Sequence, residues 1–157
     1  MGGIDRWCGV AALCGLLAGC APPTHPMPPD ARPGLGAEWV QADGYRWPPR
    51  YGFAEVEGFI VLPPGVLLDR FGPERGNFFS PKGAAFAARA LPRACRDQPY
   101  AVYRVAAPLV VRIGTAAPWF GETGGAIQIM TDASAAQLVA DGALQRLPAE
   151  PAQCGSP

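Results

Sequence analysis

The sequence predicts a single domain with an α+β fold, in which short strands form mainly antiparallel, twisted or crossed sheets beside two short helices. The length of 157 residues suits one domain, and a hydrophobic content of 49% is enough for a core. Twenty glycines and nineteen prolines favour many turns and few long helices. The short apolar runs do not alternate with helical segments, which indicates antiparallel sheet and not βαβ units.

The predicted strands are rich in β-branched and aromatic residues and cover 59–62, 66–70, 100–105, 109–113, 126–130 and 144–147. Ser80 and Pro81 suit an N-cap and a first helical position, so we predict a short helical turn over 80–90. Ser134 and Gln137 match a capping box and Gly142 suits a C-terminal stop. These residues predict the second helix over 135–141.

The first twenty residues have the pattern of an export signal. Arg6 precedes an apolar run over 7–18, which is too short to span a membrane comfortably. The run ends in Leu17-Ala18-Gly19-Cys20, which resembles the bacterial lipobox. The resemblance implies a signal peptide over 1–19 and lipidation of Cys20, and an ordinary secretory signal is the alternative. A lipid anchor predicts an exported protein on the cell envelope, at the periplasmic face of the outer membrane if the cell is Gram-negative.

Two further segments follow from composition. Residues 20–37 are rich in proline and predict an extended tether between membrane and domain. Residues 38–157 are the predicted folded domain, and they contain two cysteines, Cys95 and Cys154. An oxidising compartment favours a disulfide between them, and two free thiols are the alternative. Two cysteines without further ligands make a poor metal site, so we predict none.

Charge and histidine content exclude other classes. The formal net charge is zero and the sequence pI is about 6.6, which argues against bulk binding to nucleic acid. The single histidine, His25, lies in the predicted tether. Ser-His and Cys-His catalysis are therefore not expected from the folded part.

An arginine at the end of an apolar strand is the first candidate site residue. Arg70 is followed by a glycine turn at Gly72 and by the aromatic pair Phe78-Phe79. A guanidinium binds phosphate oxygens in a fork and a ring face offers a stacking surface, so the stretch is typical of a pocket for a flat, phosphate-bearing ligand. The alternative is a surface ion pair of Arg70 with Asp69 or Glu74, with the phenylalanines in the core.

Four segments then occur in a recognisable order. They are Asp69-Arg70-Phe71-Gly72, Phe79-Ser80-Pro81-Lys82-Gly83 with Arg89-Ala90-Leu91-Pro92, Ala117-Pro118-Trp119-Phe120-Gly121, and Gly124-Gly125-Ala126-Ile127-Gln128. This order resembles the tuberculosis necrotizing toxin domain family, secreted NAD+ glycohydrolases of bacteria and fungi. The resemblance covers roughly residues 45–147.

The resemblance implies a function for individual residues. Arg70 and Gln128 are the implied catalytic residues. Gln128 would bind the nicotinamide ribose or position the attacking water. Arg70 and Arg89 would clamp the phosphates, and Phe78 would stack on the nicotinamide. The implied substrate-binding residues are Arg70, Phe78, Arg89, Trp119, Phe120 and Gln128. Glu122 is the loop carboxylate that could approach the ribose.

The implied activity is cleavage of NAD+ into nicotinamide and ADP-ribose, with NAD+ as substrate and no cofactor. A toxin role, with an immunity protein as partner, and NAD+ scavenging are both open. The chain departs from the family at Ala126, which takes the place of a third glycine, and at Ala101, where some members carry a histidine. A catalytically weak lipoprotein that binds a nucleotide or a partner protein, and an ADP-ribosyltransferase, are the alternatives.

Overall fold

The structure is a computed structural model, and it describes residues 25–154 except for the side chain of Glu57. The predicted signal peptide and the lipidation site at Cys20 lie outside the described residues. Within residues 25–154, none of the helices has both the length and the apolar character needed to cross a membrane.

The described chain is built mainly of short strands. In chain order they are β1 (Val40–Gln41), β2 (Gly44–Tyr45), β3 (Phe53–Leu62), β4 (Leu67–Phe71), β5 (Phe78–Pro81), β6 (Tyr100–Val105), β7 (Leu109–Ala116), β8 (Ile127–Met130) and β9 (Leu144–Arg146), with helix α1 (Ala135–Ala140) between β8 and β9. Four short 3-10 turns complete the regular structure of this part of the chain.

Seven of the strands form one sheet in the order β3-β7-β8-β5-β4-β6-β9, and every neighbouring pair is antiparallel. Strands β1 and β2 form a separate small hairpin. A single domain dominated by antiparallel sheet is therefore confirmed. The α+β label is not confirmed, because residues 25–154 contain one α-helix and four 3-10 turns.

Helix α1 closes one face of the sheet. The Ser134 hydroxyl oxygen accepts a hydrogen bond from the backbone N–H of Gln137 at 3.2 Å, as the capping pattern predicts. Leu138 and the buried strand residue Leu144 then pack into the same apolar cluster as Phe79. The predicted second helix is thus confirmed, and it ends at Ala140 instead of residue 141.

The other predicted helical segment is wrong at its start. Ser80 lies in β5, where its backbone pairs with Asp69, and its side chain does not cap a helix. Phe79 is 2% exposed and packs edge-on against the Tyr103 ring at 5.7 Å. Burying this ring inside the sheet outweighs the local capping preference of Ser-Pro. A 3-10 turn over Ala87–Arg89 is the helical structure observed in this segment.

Part of the predicted tether packs on the domain. The Tyr45 hydroxyl donates to Asp30 Oδ1 at 2.6 Å, and Arg32 Nη2 donates to the Phe120 carbonyl at 2.5 Å. Leu35 is buried in an aromatic cluster with Tyr45 and Phe120. Residues from Asp30 onward therefore contact the domain, earlier than the predicted boundary at residue 37, because Leu35 finds an apolar partner there.

A disulfide ties down the C-terminal end of the described chain. Cys95 and Cys154 are bonded across a sequence separation of 59, which is the predicted pairing. The bond holds the tail beside the segment that leads into β6.

Candidate active site

A cavity of about 480 Å³ opens beside the central strands of the sheet. Its volume lies within the range of small-molecule sites, about 300–1,000 Å³. Segments distant in sequence form its walls: residues 47–52, the end of β4 with the turn after it, β5 and β8. Its lining includes the aromatic side chains of Trp47, Tyr51 and Phe78 and the polar side chains of Arg70, Arg75 and Gln128.

A narrower recess of about 60 Å³ adjoins this cavity. Arg70, Phe78 and Gln128 line both the cavity and the recess, so these three side chains lie at the junction between them. Arg89 lines the recess and not the wide cavity. The structure therefore brings together the predicted residues Arg70, Phe78 and Gln128, with Arg89 deeper inside.

Arg70 is a buried charge without a carboxylate partner. The residue is 5% exposed, and its Nη2 donates to the Pro73 carbonyl at 2.7 Å. Its Nε and Nη1 are buried and make no hydrogen bond within the described structure. The Phe79 ring lies 5.7 Å from Cζ, a weaker, cation–π contact.

The alternative in which Arg70 forms a surface ion pair is wrong. Asp69 Oδ1 lies 2.6 Å from Arg89 Nη2, and Glu74 Oε1 lies 3.1 Å from Arg146 Nη1. Both neighbouring carboxylates are therefore occupied by other cations. Burial lowers the pKa of the Arg70 guanidinium, the carboxylate of Glu74 opposes that effect, and the nearby charge of Arg75 adds to it. Because an arginine stays protonated even so, a ligand anion would compensate the charge.

Gly76 provides the surface on which the Arg70 guanidinium lies. A Cβ at Gly76 would lie 2.8 Å from Nη1 and 2.9 Å from Cζ of Arg70. Gly76 does not have a positive φ, so its backbone suits any residue and the close approach alone requires glycine. The turn from Pro73 to Gly76, closed by a 3.0 Å hydrogen bond between them, thus positions Arg70.

Arg89 is held in a buried network instead of being free for a phosphate. Its Nε and Nη2 donate to the Ala84 carbonyl at 3.1 and 2.9 Å, in addition to the ion pair with Asp69. Oδ2 of Asp69 accepts from the Tyr100 hydroxyl and from the Gly83 amide, both at 3.0 Å. Asp69 therefore has a structural role, and it compensates the charge of Arg89.

Gln128 is fixed by the segment before β3. It lies opposite Gly114 in the β7–β8 pairing, and its Nε2 donates to the Tyr51 carbonyl at 2.9 Å. Tyr51 itself has a positive φ of 56°, which is uncommon for an aromatic residue. The amide oxygen of Gln128 remains available as an acceptor at the junction of cavity and recess.

The remaining predicted residues divide between wall and support. Phe78 is 38% exposed and forms part of the cavity wall, and Phe120 also lines the cavity although it is 1% exposed. Trp119 does not line the cavity, and its Nε1 donates a hydrogen bond to the Arg46 carbonyl at 2.6 Å. Glu122 pairs with Arg32 at 3.3 Å and is likewise absent from the cavity wall.

Sequence reasoning assigned no role to several cavity residues, among them Trp47, Tyr51 and Arg75. Trp47 and Tyr51 lie ahead of β3, outside the four segments of the family pattern. Arg75 follows Arg70 within the glycine turn, and a second arginine beside a candidate phosphate-binding arginine was the available signal.

No aspartate, glutamate or histidine of the described residues lines the cavity. A paired-carboxylate mechanism of the usual glycosidase type is therefore not available from these side chains. Guanidinium groups, aromatic rings and the carboxamides of Gln98 and Gln128 suit binding of an anionic ligand with flat rings.

Comparison with known proteins agrees with this geometry. The family model described as tuberculosis necrotizing toxin matches residues 61–147, more than half of the chain. A conidial surface nicotinamide adenine dinucleotide glycohydrolase, nadA, from Aspergillus fumigatus is 38% identical over 116 residues, which cover 66% of this chain and 50% of the relative. The chain thus spans half the length of the curated relative that it matches.

Two solved structures are also similar. Tuberculosis necrotizing toxin in complex with its immunity factor has a TM-score of 0.55 at 23% identity, over 64% of this chain and 61% of that one. Tse6 in complex with Tsi6 has a TM-score of 0.41 at 20% identity, over 62% and 77% respectively. The first similarity shows the fold.

The fold and the cavity thus define an antiparallel-sheet domain with a cavity beside its central strands. The chain belongs to the tuberculosis necrotizing toxin family. The match contains the predicted site residues from Arg70 to Gln128.

The two buried arginines differ in their partners. Their replacement is therefore predicted to change the free energy of unfolding differently. Replacing Arg70 by Met removes an unpaired buried charge, so the free energy of unfolding stays the same or rises. Replacing Arg89 by Met leaves Asp69 buried and unpaired, which lowers the free energy of unfolding by about 3–5 kcal/mol. Urea denaturation of both variants measures the difference. Equal destabilisation by the two substitutions would contradict the assignment.

The contact at Gly76 gives a second prediction. Gly76→Ala displaces the Arg70 guanidinium and weakens binding of inorganic pyrophosphate by roughly tenfold, the size of one lost charge-assisted hydrogen bond. Gly36→Ala is the matched control, because Gly36 also has an ordinary φ of −69° and a Cβ there meets only the flexible end of Glu38. Isothermal titration calorimetry measures both. Unchanged affinity in Gly76→Ala would remove Gly76 from its positioning role.

Proposed function

We propose that the protein is an NAD+ glycohydrolase that releases nicotinamide and leaves ADP-ribose. The observation that carries this proposal is the buried guanidinium of Arg70, with two unsatisfied nitrogen atoms, beside a cavity without carboxylates among the described residues. The relative from Aspergillus fumigatus, a nicotinamide adenine dinucleotide glycohydrolase by name, supports the choice of substrate.

The chemistry suits a cavity without a general acid. The nicotinamide ring of NAD+ carries a positive charge and leaves as a neutral molecule, so no proton has to be delivered to it. The remaining tasks are to hold the pyrophosphate, orient the ribose and stabilise positive charge on the ribose as the bond breaks. These tasks need cations, ring surfaces and a polar neutral group.

The three residues at the junction, with Arg75 in the wide cavity and Arg89 in the recess, supply these groups. Arg70 and Arg75 hold the pyrophosphate oxygens, because both line the cavity and neither has a carboxylate partner among the ion pairs of the described chain. Phe78 packs against the nicotinamide ring. The free amide oxygen of Gln128 accepts a hydrogen bond from the ribose or from the attacking water. Arg89 keeps Asp69 neutralised and supports the recess wall.

Gln128→Ala tests this proposal directly. It removes the only side-chain amide at the junction of cavity and recess within residues 25–154, and we expect the rate of nicotinamide release to fall about a hundredfold. Gln145→Ala is the matched control, since Gln145 is exposed on β9 and lies outside the cavity. Release of nicotinamide from NAD+ is followed by chromatography.

The outcomes separate the alternatives that the sequence left open. Nicotinamide release without an acceptor supports hydrolysis. Release only with an acceptor protein indicates an ADP-ribosyltransferase, and binding without release indicates a catalytically inactive nucleotide-binding protein. Turnover by Gln128→Ala equal to that of the Gln145→Ala control would contradict the role of Gln128.

We also propose that the protein is exported and lipid-anchored at Cys20. The lipobox-like motif that ends at Cys20 supports this proposal. In cells given an alkyne-tagged fatty acid, the wild-type chain is expected to incorporate the label and Cys20→Ser to lose it. Cys14→Ser is the matched control and should keep the label. Equal labelling of the Cys20→Ser variant would contradict the anchor.

A role as a toxin with an immunity protein is supported by the similarity to a toxin whose structure includes its immunity factor. An immunity protein that binds over the cavity would block nicotinamide release. Scavenging of extracellular NAD+ needs no such partner, so protection of producing cells by a co-expressed binding protein separates the two roles.

A further inference from the structure

Two exposed aromatic side chains that line the cavity have no role in the proposed reaction. Trp47 is 54% exposed and Tyr51 is 67% exposed, and both line the cavity. Neither lines the recess, whereas Arg70, Phe78 and Gln128 line both. The two rings therefore lie away from the recess, on the open side of the proposed catalytic junction.

The Tyr51 ring is held in place by its backbone conformation and by a neighbouring guanidinium. Tyr51 and the preceding Arg50 both have positive φ values, 56° and 54°, and strained backbone of this kind persists when its surroundings require it. The Arg112 guanidinium lies 5.8 Å from the centroid of the Tyr51 ring. The Tyr51 carbonyl accepts from Gln128, so the same strained residue links the open side of the cavity to the junction.

Trp47 is also anchored on one side. Its ring contacts Tyr45 and Phe120 in edge-to-face geometry, at 5.8 and 5.4 Å between centroids. The remaining surface of this large ring is open to the cavity and to solvent. Two exposed rings that line the same cavity are suited to stacking with a flat heteroaromatic ring.

We propose that Trp47 and Tyr51 form a stacking site for the adenine base of the dinucleotide. The assignment rests on the proposed function, because it follows from a ligand whose reactive ring lies at the junction and whose phosphates contact Arg70. The second base of that ligand then lies on the open side of the cavity. The stacking site therefore takes a purine base, and it also binds adenine nucleotides that lack the nicotinamide moiety.

The test compares two ligands that differ only by the base and that the enzyme does not cleave, AMP and ribose 5-phosphate. Calorimetry on the full chain is expected to show AMP binding about tenfold more tightly than ribose 5-phosphate. Tyr51→Ala and Trp47→Ala are each expected to weaken AMP binding about tenfold while leaving ribose 5-phosphate unchanged. Tyr51→Phe keeps the ring and should retain AMP affinity.

Phe59→Ala is the matched control. Phe59 is 65% exposed and contacts the same Arg112 guanidinium at 5.1 Å, but it does not line the cavity. Its AMP affinity should equal that of the wild type. The assignment would be overturned if the wild type bound the two ligands with equal affinity. It would also be overturned if Tyr51→Ala weakened the binding of both ligands equally, or if Phe59→Ala weakened AMP binding.

The experiment also separates this inference from the proposed reaction. Nicotinamide release from NAD+ without any preference for AMP over ribose 5-phosphate would refute the stacking site and leave the glycohydrolase. A base-dependent affinity that Tyr51→Ala abolishes, in a chain that releases no nicotinamide, would refute the reaction and leave a purine-binding site.

Discussion

The arrangement of the site depends on one buried charge, the guanidinium of Arg70. Two of its nitrogen atoms are buried without a hydrogen bond, and no ion pair of the described residues includes Arg70, while the adjacent Asp69 pairs with Arg89. A ligand anion at this position would offset the cost of burying the charge. Gly76, the Pro73 turn and the Phe79 ring hold the guanidinium in this position.

The order of strands explains how distant residues meet at this charge. Strands β8, β5 and β4 are neighbours in the sheet, so Gln128 lies beside Phe78 and Arg70 although β6 and β7 separate it from them in sequence. The strained residue Tyr51 then brings the segment before β3 against Gln128. Catalysis, as proposed, uses neutral and cationic groups because the substrate provides its own positively charged leaving group.

Much of the fold and part of the site follow from sequence. The approximate positions of β4, β6, β7 and β8 and the capped helix α1 were predictable, because composition and caps are local signals. The proximity of Arg70 and Gln128 was implied only by the family resemblance. The strand at Ser80 was not, because the burial of Phe79 depends on β4 and β8 on either side. Likewise, the pairing of Arg89 with Asp69 depends on tertiary geometry that neither sequence position reveals.

The most direct test of the central claim is a crystal structure of the protein with ADP-ribose, the proposed product. The account predicts phosphate oxygen atoms within about 3 Å of Nε and Nη1 of Arg70, with the Arg89–Asp69 pair intact. Phosphates bound elsewhere, with those two nitrogen atoms still without an anionic partner, would contradict it.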